Sequence, residues 1–177
     1  MGIYAKSLWK SNLWGVDILI FVTVGTQDVP FDRLIRAVER ELEKGTIKEE
    51  VIVQCGCTKV KSKKMKMVNL MEMEEFKRTI KNASVIISHG WVGTIIDSLN
   101  ANKVVIVCPR LAKYKEHAND HQLQIVKKFS EDGYIIPLKD ANKLAGALET
   151  AKIFKPKKYQ SNTENMIKLI ENYIDKN

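Results

Sequence analysis

The segment Ser88-His89-Gly90-Trp91-Val92-Gly93-Thr94-Ile95-Ile96-Asp97 concentrates residue types that could do chemistry. An apolar run ends at Ser88, a glycine-containing turn follows, and a helix is expected to begin near Gly93-Thr94. Unpaired backbone N–H groups and the positive end of a helix dipole make such a turn an anion site, suited to a phosphate or diphosphate. Asp97 falls one turn into that helix, where a carboxylate can accept hydrogen bonds from ribose hydroxyls. The same residues also suit a plain strand-to-helix turn, with Thr94 as a cap and Asp97 offsetting the dipole. Neither the Walker pattern nor the dinucleotide fingerprint is present. No Gly-Lys-Ser/Thr occurs, and Gly25-Thr26, at the end of the first apolar run, lacks the required glycine spacing.

A second polar group, His117-Ala118-Asn119-Asp120-His121-Gln122, stands at an expected helix start. Its donors and acceptors suit sugar hydroxyls as well as they suit a solvated helix end. His117 and His121 have no third ligand at a metal-binding spacing. Cys55-Gly56-Cys57 lacks a second cysteine pair and reads as packed thiols rather than a metal or redox centre. Glu72, Glu74 and Glu75 mark a helix start. Since there is no Asp-x-Asp to hold a metal diphosphate, no metal and no cofactor are expected. A leaving diphosphate would have to be stabilised by the helix N-terminus.

Regular elements must position these groups. Ile18 to Val24, Val51 to Val53, Val85 to Ile87, Val104 to Val107 and Tyr134 to Ile136 are apolar runs of strand length. Between them, Phe31, Leu34, Ile35, Val38 and Leu42 recur at helical spacing up to Gly45, and further helices are expected over 72–81, 94–101, 117–130, 141–150 and 162–174. A short apolar piece covers Met67 to Leu70. Uniformly apolar strands alternating with amphipathic helices imply an α/β fold: a parallel sheet sandwiched by helices, with the strand C-terminal ends forming the ligand edge. Residues 1–17 do not fit this pattern. They carry Trp9 and Trp14, and Lys6 and Lys10 interrupt any signal-peptide core. They are read as an N-terminal extension or an interfacial helix, and 18–177 as one domain.

The chain has 177 residues, 45% hydrophobic and 28% charged, an ordinary globular balance with no apolar run long enough to span a membrane. Three sparse cysteines are no disulfide framework and suggest a reducing, cytoplasmic compartment. The formal net charge is +8, with lysines grouped at 59–66 and 152–158. These runs lack interleaved aromatics and any RNA-binding signature, so nucleic acid is not expected as a partner. They suit solvated loops, or attraction to an anionic membrane surface or phosphorylated substrate.

Ile20-Phe21-Val22-Thr23-Val24-Gly25-Thr26-Gln27, Pro30-Phe31-Asp32-Arg33-Leu34, the Ser88–Asp97 turn and the His117–Gln122 group occur in that order. Together they resemble the C-terminal, donor-binding half of family 28 glycosyltransferases, above all the small, separately encoded subunits of split transferases. These serve dolichol-linked sugar synthesis in eukaryotes and exopolysaccharide or capsule synthesis in bacteria. The resemblance implies a single Rossmann-like half of a GT-B fold that binds a UDP-sugar. It places Gly25 and Thr26 near the diphosphate and Gln54 with Gly56 at the nucleotide. His89, Gly90, Gly93 and Thr94 form the phosphate turn, Asp97 holds the ribose, and Asp120, His121 and Gln122 read the donor sugar. The catalytic base is unassigned, with His89 and His121 as candidates.

One half of a GT-B enzyme lacks an acceptor-binding domain. The resemblance therefore also implies a membrane-anchored, acceptor-binding partner subunit that recruits this chain to the cytoplasmic face, and a lipid-linked sugar acceptor. The turn departs from the family where a second adjacent glycine is usual, because Trp91 stands there. Either Trp91 points away from the phosphate, or donor binding is altered or lost, leaving a relic that stabilises a transferase partner.

Overall fold

The computed structural model describes residues 19–160. In chain order these form β1 (Leu19–Thr23), α1 (Asp32–Glu43), β2 (Glu50–Gln54), β3 (Lys66–Val68), α2 (Met73–Asn82), β4 (Val85–His89), α3 (Val92–Asn100), β5 (Val104–Cys108), α4 (His121–Glu131), β6 (Ile136–Pro137) and α5 (Leu144–Ile153). The six strands make one sheet in the order β3-β2-β1-β4-β5-β6, with every neighbouring pair parallel. Both faces of the sheet are covered, as continuous apolar strands require.

Side chains alternate between those faces along each strand. Leu19, Phe21, Ile52, Ile86, Val105 and Val107 pack with Ile80 of α2, Ile95 and Leu99 of α3, and Val126 of α4. Ile20, Val22, Val51, Val53, Ile87 and Ile106 point the other way, against Leu34, Ile35 and Val38 of α1 and Leu144 and Leu148 of α5. The central strands β1 and β4 are in register from Ile20↔Val85 to Thr23↔Ser88, so Thr23 and Ser88 reach the same edge together. Pro137 pairs in the edge strand β6, where its missing N–H is tolerated.

The expected elements are present, with differences that have local causes. Met67 to Leu70, read as an apolar piece, contributes Met67 and Val68 to the three-residue edge strand β3. The helix expected from His117 begins at His121. The His117 Nδ1 accepts the Asn119 amide at 3.3 Å and the Asn119 side-chain oxygen accepts the His121 amide at 3.2 Å. These local bonds hold the backbone in a turn before the helix starts. The last strand shifts to Ile136–Pro137, and Ala141–Lys143 forms a 3₁₀ turn before α5. The extension at 1–17, the domain's last residues and the helix expected over 162–174 lie outside the described residues. No described helix is long and apolar enough to cross a membrane.

Candidate functional site

The chain winds outward from β1 to β2 and β3, then crosses back to β4 on the other side of β1. In an open parallel sheet this reversal leaves a crevice at the strand C-termini, where ligands bind. Here it is a cavity of about 400 Å³. Thr23, Gly25, Thr26 and Gln27 line it from the end of β1, and Gln54 from the end of β2. Leu70, Met71, Met73 and Phe76 form an apolar end at the entry to α2, and His89, Trp91, Gly93, Thr94 and Asp97 form the β4–α3 side.

The turn after β4 is tight: the Trp91 amide donates to the His89 carbonyl at 2.8 Å, and α3 starts at Val92. No side chain caps α3 and its first turn carries no acidic residue. The amides of Val92, Gly93 and Thr94 therefore have no intrahelical acceptor and present an uncompensated positive dipole end. Asp97 is exposed on the cavity wall one turn further along. The turn thus offers backbone donors at one level and a carboxylate acceptor at the next, opposite an apolar recess.

Two glycines permit this crowding. Gly25 has φ +80°, and a Cβ on it would lie 2.5 Å from His89 Nε2. Gly56 has φ +55°, and its Cβ would meet the Gly25 carbonyl oxygen at 2.6 Å. Gly56 thus sits behind Gly25 rather than on the cavity wall, and backs the loop that forms it. Gln54 ties this region together: its Oε1 accepts the Met71 amide at 3.1 Å and its Nε2 donates to Thr23 Oγ1 at 3.4 Å.

His89 is 3% exposed, and its Nδ1 has no hydrogen-bond partner among the described residues. Burial, aided by the Arg110 charge, pushes its pKa down to about 4, while a hydrogen bond to the Thr23 backbone opposes the shift. A neutral, enclosed imidazole with so low a pKa is a weak base at neutral pH and a good fixed wall. Stability has the matching pH dependence. The unfolded chain binds the proton near pH 6.5 and the folded chain only near 4. The contribution is therefore complete above pH 6.5 and is lost as pH falls from there toward 4, amounting to roughly 3 kcal/mol in the limit. Urea titrations at pH 7 and pH 4.5 should show this loss in the wild type and a much smaller one in His89→Gln. Equal losses in both proteins would remove His89 from the effect.

The second polar group lies off the cavity wall. Asp120 is exposed, and its Oδ1 accepts the Ala112 amide at 2.9 Å. His121 is exposed at the first position of α4. Gln122 is buried, and its Oε1 accepts both the Gly90 amide at 3.1 Å and the Arg110 amide at 2.9 Å, while its Nε2 has no partner among the described residues. Gln122 thus clamps the turn after β4 to the loop after β5. Gly90 belongs to this clamp, since a Cβ on it would lie 2.9 Å from Gln122 Cβ.

Arg110, which the residue patterns did not single out, is 1% exposed. It donates to the carbonyls of Val24, Val29, Pro30 and Glu116 at 2.7–3.3 Å and lies 4.8 Å over the Phe31 ring. Arg33 pairs with Glu116 through two bonds of 2.9 and 2.8 Å. These charges lock the loop between β1 and α1, which carries Gly25, Thr26 and Gln27. The only signal available in advance was an arginine directly after an apolar strand at the ligand edge. Among the described residues, no three His, Cys, Asp or Glu side chains are grouped to hold a metal ion.

Comparison with known proteins gives the family and the fold. Residues 19–175 match the glycosyltransferase family 28 C-terminal domain. Over 68 residues, 38% of the chain, it is 35% identical to the UDP-N-acetylglucosamine transferase subunit ALG13 of Eremothecium gossypii, covering 32% of that protein. Over 73 residues, 41% of the chain, it is 36% identical to the ALG13 subunit of Saccharomyces cerevisiae, covering 34% of it. The aligned stretch is thus about a third of either relative's length. Among solved structures, the solution structure of ALG13 superposes with a TM-score of 0.57 at 23% identity, covering 84% of this chain and 93% of that one. The calicheamicin glycosyltransferase CalG4 superposes with a TM-score of 0.58 at 12% identity, over 81% of this chain and 36% of that one. These likenesses extend to the fold: one Rossmann-like half of the GT-B type.

Proposed function

Since the chain belongs to the glycosyltransferase family 28 C-terminal domain family, we propose that it is the UDP-sugar-binding subunit of a two-component inverting glycosyltransferase. The observation that carries this reading is the cavity at the β1/β4 crevice, with an uncapped helix start and an acidic side chain on one side and an apolar recess on the other. A nucleotide diphosphate matches it part for part. The base occupies the recess of Leu70, Met71 and Phe76, Asp97 accepts from the ribose, and the diphosphate meets the amides of Val92, Gly93 and Thr94 beside Gly25 and Thr26. The two relatives' names, both subunits of a UDP-N-acetylglucosamine transferase, support uridine as the nucleoside and a partner chain.

In the proposed reaction an acceptor hydroxyl attacks the anomeric carbon as the bond to the diphosphate oxygen breaks, and UDP leaves toward α3. The helix dipole and fixed amides favour the charge that develops on the leaving oxygen. The hydroxyl's proton goes to a base that the partner subunit supplies. His89 is enclosed and His121 stands outside the cavity, so neither fits that role well. We assign the donor-sugar end of the site to the segment Asp120 to Gln122, which follows the loop that Gln122 clamps to the turn after β4. We assign the acceptor to a lipid-linked sugar presented by a membrane-anchored partner at the cytoplasmic face, in exopolysaccharide or capsule synthesis. The net positive charge suits such a surface.

Calorimetric titration with UDP tests the core of this reading. The wild type should bind UDP, and Asp97→Ala should weaken it by about 1–3 kcal/mol through the lost charged hydrogen bond. An unchanged affinity would remove Asp97 from the ribose role. No heat at millimolar UDP would favour a donor-domain relic instead. Sugar transfer should require both this chain and its partner, and turnover by this chain alone would contradict the two-component proposal.

A further inference from the structure

The turn that opens α3 carries a tryptophan whose placement is specific. Trp91 is 56% exposed, yet it forms part of the cavity wall. A Cβ on Gly93 would lie 3.4 Å from its Nε1 and 3.5 Å from its Cδ1, so the nitrogen-bearing edge of the indole lies against the first turn of α3. Cα–Cβ bonds tilt toward the helix N-terminus. The indole nitrogen therefore lies beside the first turn of α3, next to the residues whose amides are free, Val92, Gly93 and Thr94. An indole N–H can only donate, so it adds a donor where the helix start already favours an anion.

Two further observations point to a ligand rather than a bare helix end. With the indole in its wall the cavity still measures about 400 Å³, so Trp91 borders the space without filling it. The cavity is also walled by His89, a 3% exposed imidazole whose Nδ1 finds no partner among the described residues. A methyl at Gly93 would only touch the indole at ordinary van der Waals distance, so the ring edge rests against this turn without crowding it.

The geometry points to Trp91 as a donor-positioning residue: its Nε1–H joins the α3 amides in binding the diphosphate of the nucleotide sugar, and its ring covers the phosphate end of the cavity. This role rests on the UDP-sugar reading above. It assigns the bulky residue in the turn to recognition rather than obstruction.

The test compares wild type, Trp91→Phe, which keeps an aromatic wall and removes the N–H, and Trp91→Gly, titrated with UDP and with uridine. Both variants should lose about tenfold in UDP affinity, the effect of one charge-assisted hydrogen bond, with uridine binding unchanged. In ¹⁵N-labelled wild type, UDP should move the Trp91 indole resonance downfield, identified by its absence from Trp91→Phe, while uridine leaves it in place. Equal or tighter UDP binding by both variants would overturn the role of Trp91 and leave the UDP-sugar reading intact. Absence of UDP binding in all three proteins would overturn both.

Discussion

Glu116→Ala should destabilise the protein by about 3–5 kcal/mol, the range for stripping one partner from a buried ion pair. Glu116 is 5% exposed, and its two oxygens take Arg33 Nε and Nη2 at 2.9 and 2.8 Å as well as the Leu111 amide at 3.1 Å. Arg110 is more deeply buried, and among the described residues it is held only by carbonyls and the Phe31 ring and leaves its Nε unpartnered. Desolvation by burial holds its pKa down, and the nearby Glu116 charge opposes that shift. Removing the carboxylate leaves the buried Arg110 and the partly exposed Arg33 with no anion between them, a cost that repacking an alanine cannot offset. Glu116→Gln keeps the shape and one acceptor and should lose less. Urea unfolding at pH 7 measures both variants. A loss under about 1 kcal/mol for Glu116→Ala would mean that water reaches the site and screens it. Because Arg110 and Arg33 anchor the loop bearing Gly25 to Gln27, UDP affinity should fall in the same variants.

Gly25→Ala should cost about 2–5 kcal/mol and abolish nucleotide binding. Two separate penalties combine. At φ +80° any L-residue with a side chain is strained by about 1–2 kcal/mol. The new methyl would also lie 2.5 Å from His89 Nε2 and 2.7 Å from Cε1, an overlap worth about 1–3 kcal/mol where the neighbour cannot yield. His89 is 3% exposed, so its ring has little room to move aside. Gly45→Ala separates the terms: its φ is +75°, but nothing lies within 4 Å of the added Cβ, so it should show the backbone penalty alone. Thermal unfolding of the two variants, beside UDP titration, decides the matter. Equal losses at both positions would show that the contact with His89 is relieved at no cost.

The elements that make the sheet were legible because their signals are local. Leu19–Val22, Val51–Val53, Val85–Ile87 and Val104–Cys108 are unbroken apolar runs, and α1 repeats its apolar residues at helical spacing. Both patterns reflect burial against whatever covers them, and need no knowledge of the partner. The strand-end residues Gly25, Gln54, His89, Gly93, Thr94 and Asp97 were legible for a related reason: parallel strands deliver their C-termini to one edge, and here those residues line one cavity. β3 is not legible as a strand, because one exposed and two half-buried residues at a sheet edge carry too little pattern, and pairing with β2 alone makes them one.

The amino-acid order by itself determined the α/β class and the sheet edge at which the glycine-bearing turn between β4 and α3 falls. Only the tertiary structure decided that Gln122 clamps the turn instead of lining the cavity wall, that Arg110 is a buried cation serving carbonyls 80 or more residues away, and that Trp91 lies beside Gly93 without filling the site. The physical reason is the range of the interactions. Secondary structure follows from neighbours a few residues apart. The partners of a buried charge or amide are chosen by how distant loops meet once the sheet has assembled, and no local periodicity records that choice.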